Sequence, residues 1–447
     1  MNYNVDKKEA QYKYKNLLEQ AKNNKKYIIE DNGYWTLFQP KNIKFDLPRQ
    51  GFKIHLSATT FNINTIFSKF FDYIKEINVE WKVLSTFRLL ERQNIGFNGF
   101  SQVGKFITIY PDKHNLLIKI LHDLNLLFKN NNSIQIPSDF QFMQSKIVYY
   151  RYGEILIDNV KNDFDDRRDR TIPKNIYVPI YDYYIKRYSS IPNNLIILEV
   201  IKQSGKNTVL RALDTNLKCS VYLKEAAYLS NIDIYGTDSL DRLEIEKRVL
   251  LKTGTLSFTP KLLGEFYVGE HYFIEIEEIK AKNLLEFMRE NIKICLKEKV
   301  EIILKIAEKL KKLLRLGIIY IDLSFSNIMI DKNYRIYFID FEYCKIKDEW
   351  NPPDIIAGCI GFYDPQYIKV DENRIIFALA ALLLYMEYFD IVKSIFDTDS
   401  EELILNFLKY DFYKKSIFSD VYQKAFSNNF CSLSDLESSI MTILNTK

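Results

Sequence analysis

The chain has 447 residues, too many for one hydrophobic core and enough for two or three domains. Its 62 Lys and Arg residues stand against 58 Asp and Glu, a net charge of +4, so no global field favours nucleic acid. Five scattered cysteines with no CxxC pair argue against a structural zinc site and fit a reducing, cytoplasmic setting.

In chain order, residues 1–38 read as a helical lead-in whose polar, charged start has no signal-peptide character. From about 50 to 150 the pattern is mixed α/β. GFKIHLSAT alternates as a strand, and FNINTIFSKFFDYIKEINV has apolar residues at helical spacing. WKVLSTFRLL and GKFITIYP read as further strands, and KHNLLIKILHDLNLLFKN as another helix. The polar stretch DNVKNDFDDRRDRTIPKN marks a loop or linker near 158–175. A new unit begins near Asn194, with strands in NLIILEVIKQSGKNTVLRALD and CSVYLKEA and a helix over Ser239–Lys252. After Asn283 the chain is expected to be mostly helical. Its most apolar run, residues 375–388, is shorter than the roughly 18 residues a membrane span needs and reads as a buried helix, so no membrane partner is expected.

The stretch YIDLSFSNIMIDKNYRIYFIDFE places Asp322 five residues before Asn327, and Asn327 thirteen before Asp340. That is the layout of a kinase catalytic loop followed by a DFG-type turn. Asp322 can accept the proton of a substrate hydroxyl. Asn327 and Asp340, joined by a short hairpin, are the expected magnesium ligands. Lys224 in VYLKEA is the expected partner of the nucleotide α- and β-phosphates, paired with Glu246 on the following helix. HYFIEIEEI resembles the strand entering a hinge, with the purine expected near Glu277 and Glu278. The phosphate-covering loop has a single glycine, Gly205, where a typical kinase has three, and ATP and GTP both remain open as nucleotides. Tyr320-Ile321-Asp322 replaces the usual HRD, so no arginine awaits a phosphorylated activation loop and constitutive activity is expected. The full set of ionic groups argues against a pseudokinase.

The N-terminal half holds a second cluster. Lys53 and His55 lie two apart in one strand and so share a face. Lys82 and Arg88 are read as sharing another strand face, and Lys105, Tyr110 and Arg151 add cationic or hydrogen-bonding groups. Such a set suits β-elimination of phosphate. A desolvated lysine near other cations takes the α-proton, a histidine protonates the departing phosphate, and the remaining cations hold the dianion.

QGFKIHLSAT, WKVLSTFRLL, GKFITIYP and YYRYG, in that order, resemble the lyase domain of class III lanthipeptide synthetases, and VYLKEA, RLEIEKRVL and IDLSFSNIMI resemble their kinase domain. The resemblance covers nearly the whole chain. It implies an α+β protein: a mixed α/β phosphothreonine-lyase-like domain over residues 1–185, then a bilobal kinase-like domain over 186–447, with lobes at about 190–280 and 281–447. It implies Lys82 as base, His55 as acid and Lys53 as stabiliser, with Arg88, Lys105, Tyr110 and Arg151 binding phosphate. It further implies ATP, magnesium and a ribosomal precursor peptide with a leader. The third, cyclase domain usual in that family has no counterpart before Lys447, and three expectations stand open: the cyclase is a separate partner protein, it is absent, or this chain is a lyase–kinase fragment. The alternatives are a plain peptide or small-molecule kinase with a substrate-binding N-terminal domain, and a pseudokinase scaffold.

Overall fold

The computed structural model describes residues 7–41, 50–155, 191–204, 207–233, 235–269, 271–291, 293–351, 358–359, 361–364, 366–367, 369–397, 404 and 411–445. Gly205 and the 158–175 linker lie outside them, as does the expected domain boundary near 185. The fold is α+β, an N-terminal domain followed by a kinase-like one.

Helix α1 (Lys7–Lys22) buries Ala10, Tyr14, Leu18 and Ala21 at three- and four-residue spacing. The helical lead-in expected over residues 1–38 is corrected beyond that point. Strands β1 (Tyr27–Asp31) and β2 (Trp35–Pro40) form a hairpin there. Its turn carries Asn32-Gly33, with Gly33 at φ +82° and the Asp31 carboxylate accepting the Gly33 N–H at 2.9 Å. Then come β3 (Gln50–Ser57), α2 (Ile63–Ile74), β4 (Glu80–Leu84), α3 (Phe87–Asn94), β5 (Lys105–Tyr110), α4 (His114–Leu127), β6 (Phe140–Gln141) and β7 (Val148–Glu154). WKVLSTFRLL is therefore a strand and a helix rather than one strand. The Thr86 hydroxyl caps α3 by accepting the Leu89 N–H at 3.2 Å.

These strands make a seven-stranded sheet in the order β1-β2-β4-β5-β3-β7-β6. Alternate residues Ile54, Leu56, Trp81, Ile107, Ile109 and Tyr150 enter one core with Tyr14, Phe67, Phe70 and Leu121 from the helices. Trp81 is its anchor, stacked on Phe38 at 3.9 Å and met edge-on by Phe70 at 5.1 Å. The side chains between these project to the opposite face.

A five-stranded sheet follows in the order β11-β12-β10-β9-β8. Its strands are β8 (Leu195–Gln203), β9 (Asn207–Asp214), β10 (Cys219–Ala227), β11 (Leu262–Val268) and β12 (His271–Glu277), with α5 (Ser239–Lys252) between β10 and β11. The remainder carries β13 (Lys282–Asn283), α6 (Leu284–Glu290), α7 (Leu296–Arg315), β14 (Ile318–Ile319), β15 (Ile328–Ile330), β16 (Ile336–Phe338), β17 (Lys345–Ile346), α8 (Glu372–Glu387), α9 (Phe389–Asp397), α10 (Ser419–Phe426) and α11 (Leu433–Asn445). The apolar run expected as a buried helix is α8, buried along almost its whole length and capped by Asp371. No single described helix is long and apolar enough to cross a membrane.

By compactness the chain forms two units: Met1–Cys219 with Leu223–Leu240 and Glu265–Phe273, and Ser220–Tyr222 with Asp241–Gly264 and Ile274–Lys447. The seven-stranded sheet lies in the first, and Asp322, Asn327 and Asp340 in the second.

Candidate active sites

Strand register builds the first site. Lys82 pairs with Thr108, Thr108 with His55, and His55 with Tyr149. Directly opposed residues share a face, so these four form one row across β4, β5, β3 and β7. Two residues along, Glu80 pairs with Tyr110 and Lys53 with Arg151. Lys53 lies over the Tyr110 ring at 5.9 Å, which joins those pairs into a second row. The Lys82 Nζ lies 4.5 Å from the centre of the Trp35 ring on β2, which holds the side chain over that strand.

Lys105 joins by a β-bulge. The β3–β5 register shifts between Leu56 and Ser57, so Ser57 pairs with Lys105 and Phe106 is the extra residue. Phe106 turns into the core against Tyr14 and Phe67. Lys105 turns to the site, its Nζ 3.1 Å from Asp139 Oδ1.

Asp139 is the residue that the sequence reading did not single out. Its side chain is fully buried, and its other oxygen meets His55 Nδ1 in a short hydrogen bond. Burial by itself would raise this carboxyl, but Lys105 and then His55 overcome it and hold Asp139 far below the usual carboxylate range. Burial pushes His55 down to about 3; Asp139 opposes that, and Lys105 and Arg151 add to it. His55 is thus a neutral imidazole at neutral pH, with Nδ1–H donated to Asp139 and Nε2 left on the other side of the ring.

Lys53, His55, Lys105, Tyr110 and Arg151 are all buried, each under 9% exposed. Buried cations require compensating charge. Among the described residues Lys53, Lys82, Lys105 and Arg151 gather on this face with the carboxylates of Glu80 and Asp139, a setting that suits an anionic phosphate group. Arg88 is not part of this face. It sits on α3, exposed, so the strand face it was expected to share with Lys82 is corrected: Thr86 starts a helix between them.

The second site lies on the loop before β15. The Asn327 amide donates to Asp322 Oδ2 and to the Asp322 carbonyl, each at 2.9 Å. The Cys359 N–H donates to Asp322 Oδ1 at 2.9 Å. Gly358, at φ +122°, brings that backbone in, and a Cβ there would lie 3.5 Å from the same oxygen. Burial, then the charge of Asp340, raises the Asp322 carboxyl to about 6, despite these donors and Arg374. β15 and β16 pair antiparallel and carry the chain from Asn327 to Asp340, which adopts φ +64°. Tyr320 takes the place of the HRD histidine. Its hydroxyl donates to the Ile339 carbonyl at 2.5 Å, and its ring packs against Phe338 and Phe341 at 5.3 and 5.2 Å, joining loop and turn.

Glu246 on α5 is 1% exposed. Burial, then the charges of Glu246, Asp322 and Asp340, drive the Cys344 thiol well above its ordinary range. Among the described residues no three His, Cys, Asp or Glu side chains enclose a metal site. Magnesium needs no such cage, because it takes one or two carboxylates and completes its shell with water and phosphate oxygens. The acidic pocket around Asp340 and Asn327 fits that demand. Glu277 ends β12, where its amide donates to the Lys261 carbonyl at 2.9 Å. Lys224 is half-buried on β10.

The RamC N-terminal domain family matches residues 16–173. The "Probable SapB synthase" of Streptomyces coelicolor is 25% identical over 391 residues, which are 80% of this chain and 41% of that protein. This chain therefore spans less than half the length of that relative. Protein kinase C delta type of Rattus norvegicus is 28% identical over 144 residues, 32% of this chain and 21% of that protein. Residues 16–173 thus match a RamC-type N-terminal domain, and the chain resembles the class III lanthipeptide synthetases.

Proposed function

We propose that the protein dehydrates Ser and Thr residues of a ribosomal precursor peptide in two steps, phosphorylation and then elimination. The observation that carries this reading is the row Lys82–Thr108–His55 beside Lys53, Lys105 and Arg151, a buried cationic face with one orienting carboxylate. A kinase needs no such face, whereas elimination of a phosphate dianion does.

In the first step the Asp322 carboxylate accepts the hydroxyl proton as the oxygen attacks the γ-phosphorus of ATP or GTP, and the bond from that phosphorus to the β,γ-bridging oxygen breaks to release ADP or GDP. Asn327 and Asp340 are the groups that would hold magnesium, whose charge would offset that of the transferring phosphate. Lys224 keeps the phosphate-binding role that its sequence context implies.

In the second step the phosphate sits among Lys53, Lys105 and Arg151, with the Tyr110 hydroxyl as a further donor. Lys82, as the neutral amine, takes the α-proton. The C–H pair becomes the Cα–Cβ double bond, the Cβ–O bond breaks, and its electrons leave on the phosphate oxygen. His55 protonates that oxygen. The dianion brings the charge that lets His55 take up a proton, and Asp139 stabilises the imidazolium from its other side. The products are dehydroalanine or dehydrobutyrine and phosphate. Mass spectrometry of a Ser/Thr-containing precursor peptide incubated with enzyme, nucleotide and magnesium tests the reading. Loss of one water per modified residue supports it, and a phosphopeptide as the final product contradicts it.

A further inference from the structure

The loop over residues 133–139 delivers Asp139 to His55 and Lys105. It is pinned almost residue by residue. The Ser57 hydroxyl meets the Ser133 hydroxyl at 2.9 Å and donates to the Ile134 carbonyl at 2.5 Å. The Ser138 hydroxyl donates to the Ser101 carbonyl at 2.9 Å. The loop also lies hard against the start of β5. A Cβ on Gly104, which has φ +77°, would come within 3.1 Å of both the Gln135 carbonyl and Ile136 Cγ1. A shift at Gln135 therefore reaches Lys105 directly and Asp139 through four peptide units.

One pin comes from outside the seven-stranded sheet. His271, the first residue of β12, is 4% exposed and places Nε2 2.6 Å from Gln135 Oε1. Its Nδ1 lies 2.7 Å from Glu225 Oε1, and Glu225 is itself 1% exposed. Glu225 follows Lys224 on β10, so the two side chains leave opposite faces of that sheet. Residues 223–240 and 265–273 cluster in the same compact unit as the N-terminal fold, so the bridge is internal to that unit. A small cleft runs beside it, lined by Ile134 and Pro137 from the loop and by Ser204 and Asn207, which flank the expected phosphate-covering turn.

We propose that His271 is a positioning residue for the elimination step: seated beside Glu225, it fixes Gln135 and so fixes the loop that sets Asp139 against His55 and Lys105. The lyase site is then incomplete without a side chain from the kinase-like sheet. The proposal rests on the elimination reading above. His271 and Glu225 are buried and Gln135 partly so, and a small residue cannot replace the contact without leaving polar groups unsatisfied.

The test supplies a synthetic phosphoserine peptide to full-length protein without nucleotide, so the kinase step is bypassed. His271→Ala and Gln135→Ala should each lower kcat for phosphate release by about tenfold or more with KM changed less than threefold. The double variant should be no worse than the weaker single one, the mark of two residues acting through one contact. His271→Gln, which keeps a hydrogen-bonding group, should recover part of the rate. Thermal melting of each variant separates positioning from unfolding, and Gln135→Ala serves if His271→Ala does not fold. A wild type that eliminates phosphate while His271→Ala and Gln135→Ala match it, or losses that simply multiply, overturns the bridge. A wild type that leaves the phosphopeptide intact overturns the elimination reading instead.

Discussion

Asp139 decides what His55 can do. An isolated buried histidine at the base of a cationic pocket would resist the proton that a departing phosphate needs. The carboxylate behind it opposes that resistance and fixes the ring so that Nε2 faces away from Asp139. Asp139→Asn keeps the shape and removes the charge, so elimination from a supplied phosphopeptide should slow on the order of 10²-fold. Release of inorganic phosphate checks this, and an unchanged rate would remove Asp139 from the mechanism. The same pair sets acid lability. His55 is depressed to about 3 from an unfolded value of about 6.5. The unfolded chain therefore binds the extra proton between those values. The contribution to stability is full above about 6.5 and is lost as pH falls toward 3, and the depressed Asp139 carboxyl adds in the same direction. Urea midpoints should fall between pH 7 and pH 4.5, and His55→Gln should flatten that slope.

At this scale most of the first site could be read from the chain. Lys53, His55, Lys82 and Arg151 sit on strands, where alternation announces each side chain's face, whereas Lys105 reaches that face only through the bulge at Phe106. Asp139 sits in an aperiodic loop, 84 residues from His55, so no periodicity ties it to the site. Only its position as a lone carboxylate before the paired strand β6 hinted at a role.

At the scale of elements, two misreadings have one cause. WKVLSTFRLL has apolar residues on both sides of Ser85-Thr86, and the apolar count outweighed the capping signal that starts α3. The first 38 residues likewise hide an Asn-Gly turn between two apolar runs behind a strongly helical beginning. Arg88 left the site for the first reason. In the kinase-like part, α5 is held by its own ion pairs. Arg248 and Lys252 grip Glu349 at 2.9 and 2.8 Å, and Arg248 also donates to the Trp350 carbonyl at 3.0 Å. These contacts tie the helix carrying Glu246 to the segment after Asp340 without any phosphate, in keeping with the constitutive activity expected from the missing HRD arginine. They are partly exposed, so their worth in stability is about 1 kcal/mol or less. Glu349→Ala should thus leave the melting temperature nearly unchanged while phosphorylation slows severalfold. Phosphopeptide formed per minute in a His55→Ala background reads that rate, and an undiminished rate would free α5 from this control.

At the scale of the whole molecule, the proposed function gives one chain two chemistries whose products and substrates match. On that proposal a phosphopeptide made by the Asp322 site is the substrate of the His55 site, and covalent linkage would raise the local concentration of the intermediate. The kinase-like order Asp322, Asn327, Asp340 was legible because spacing alone defines it, and the hairpin between Asn327 and Asp340 formed as expected. What spacing could not give was the bridge from His271 to Gln135, since 136 residues separate its ends. The central claim is that phosphate is installed in order to be removed. The most direct measurement is the intact mass of a precursor peptide after incubation with nucleotide, magnesium and either wild-type protein or His55→Ala. The account predicts dehydrated peptide from the wild type and accumulated phosphopeptide from His55→Ala. Equal dehydration by both, or phosphopeptide as the end product of the wild type, would contradict it.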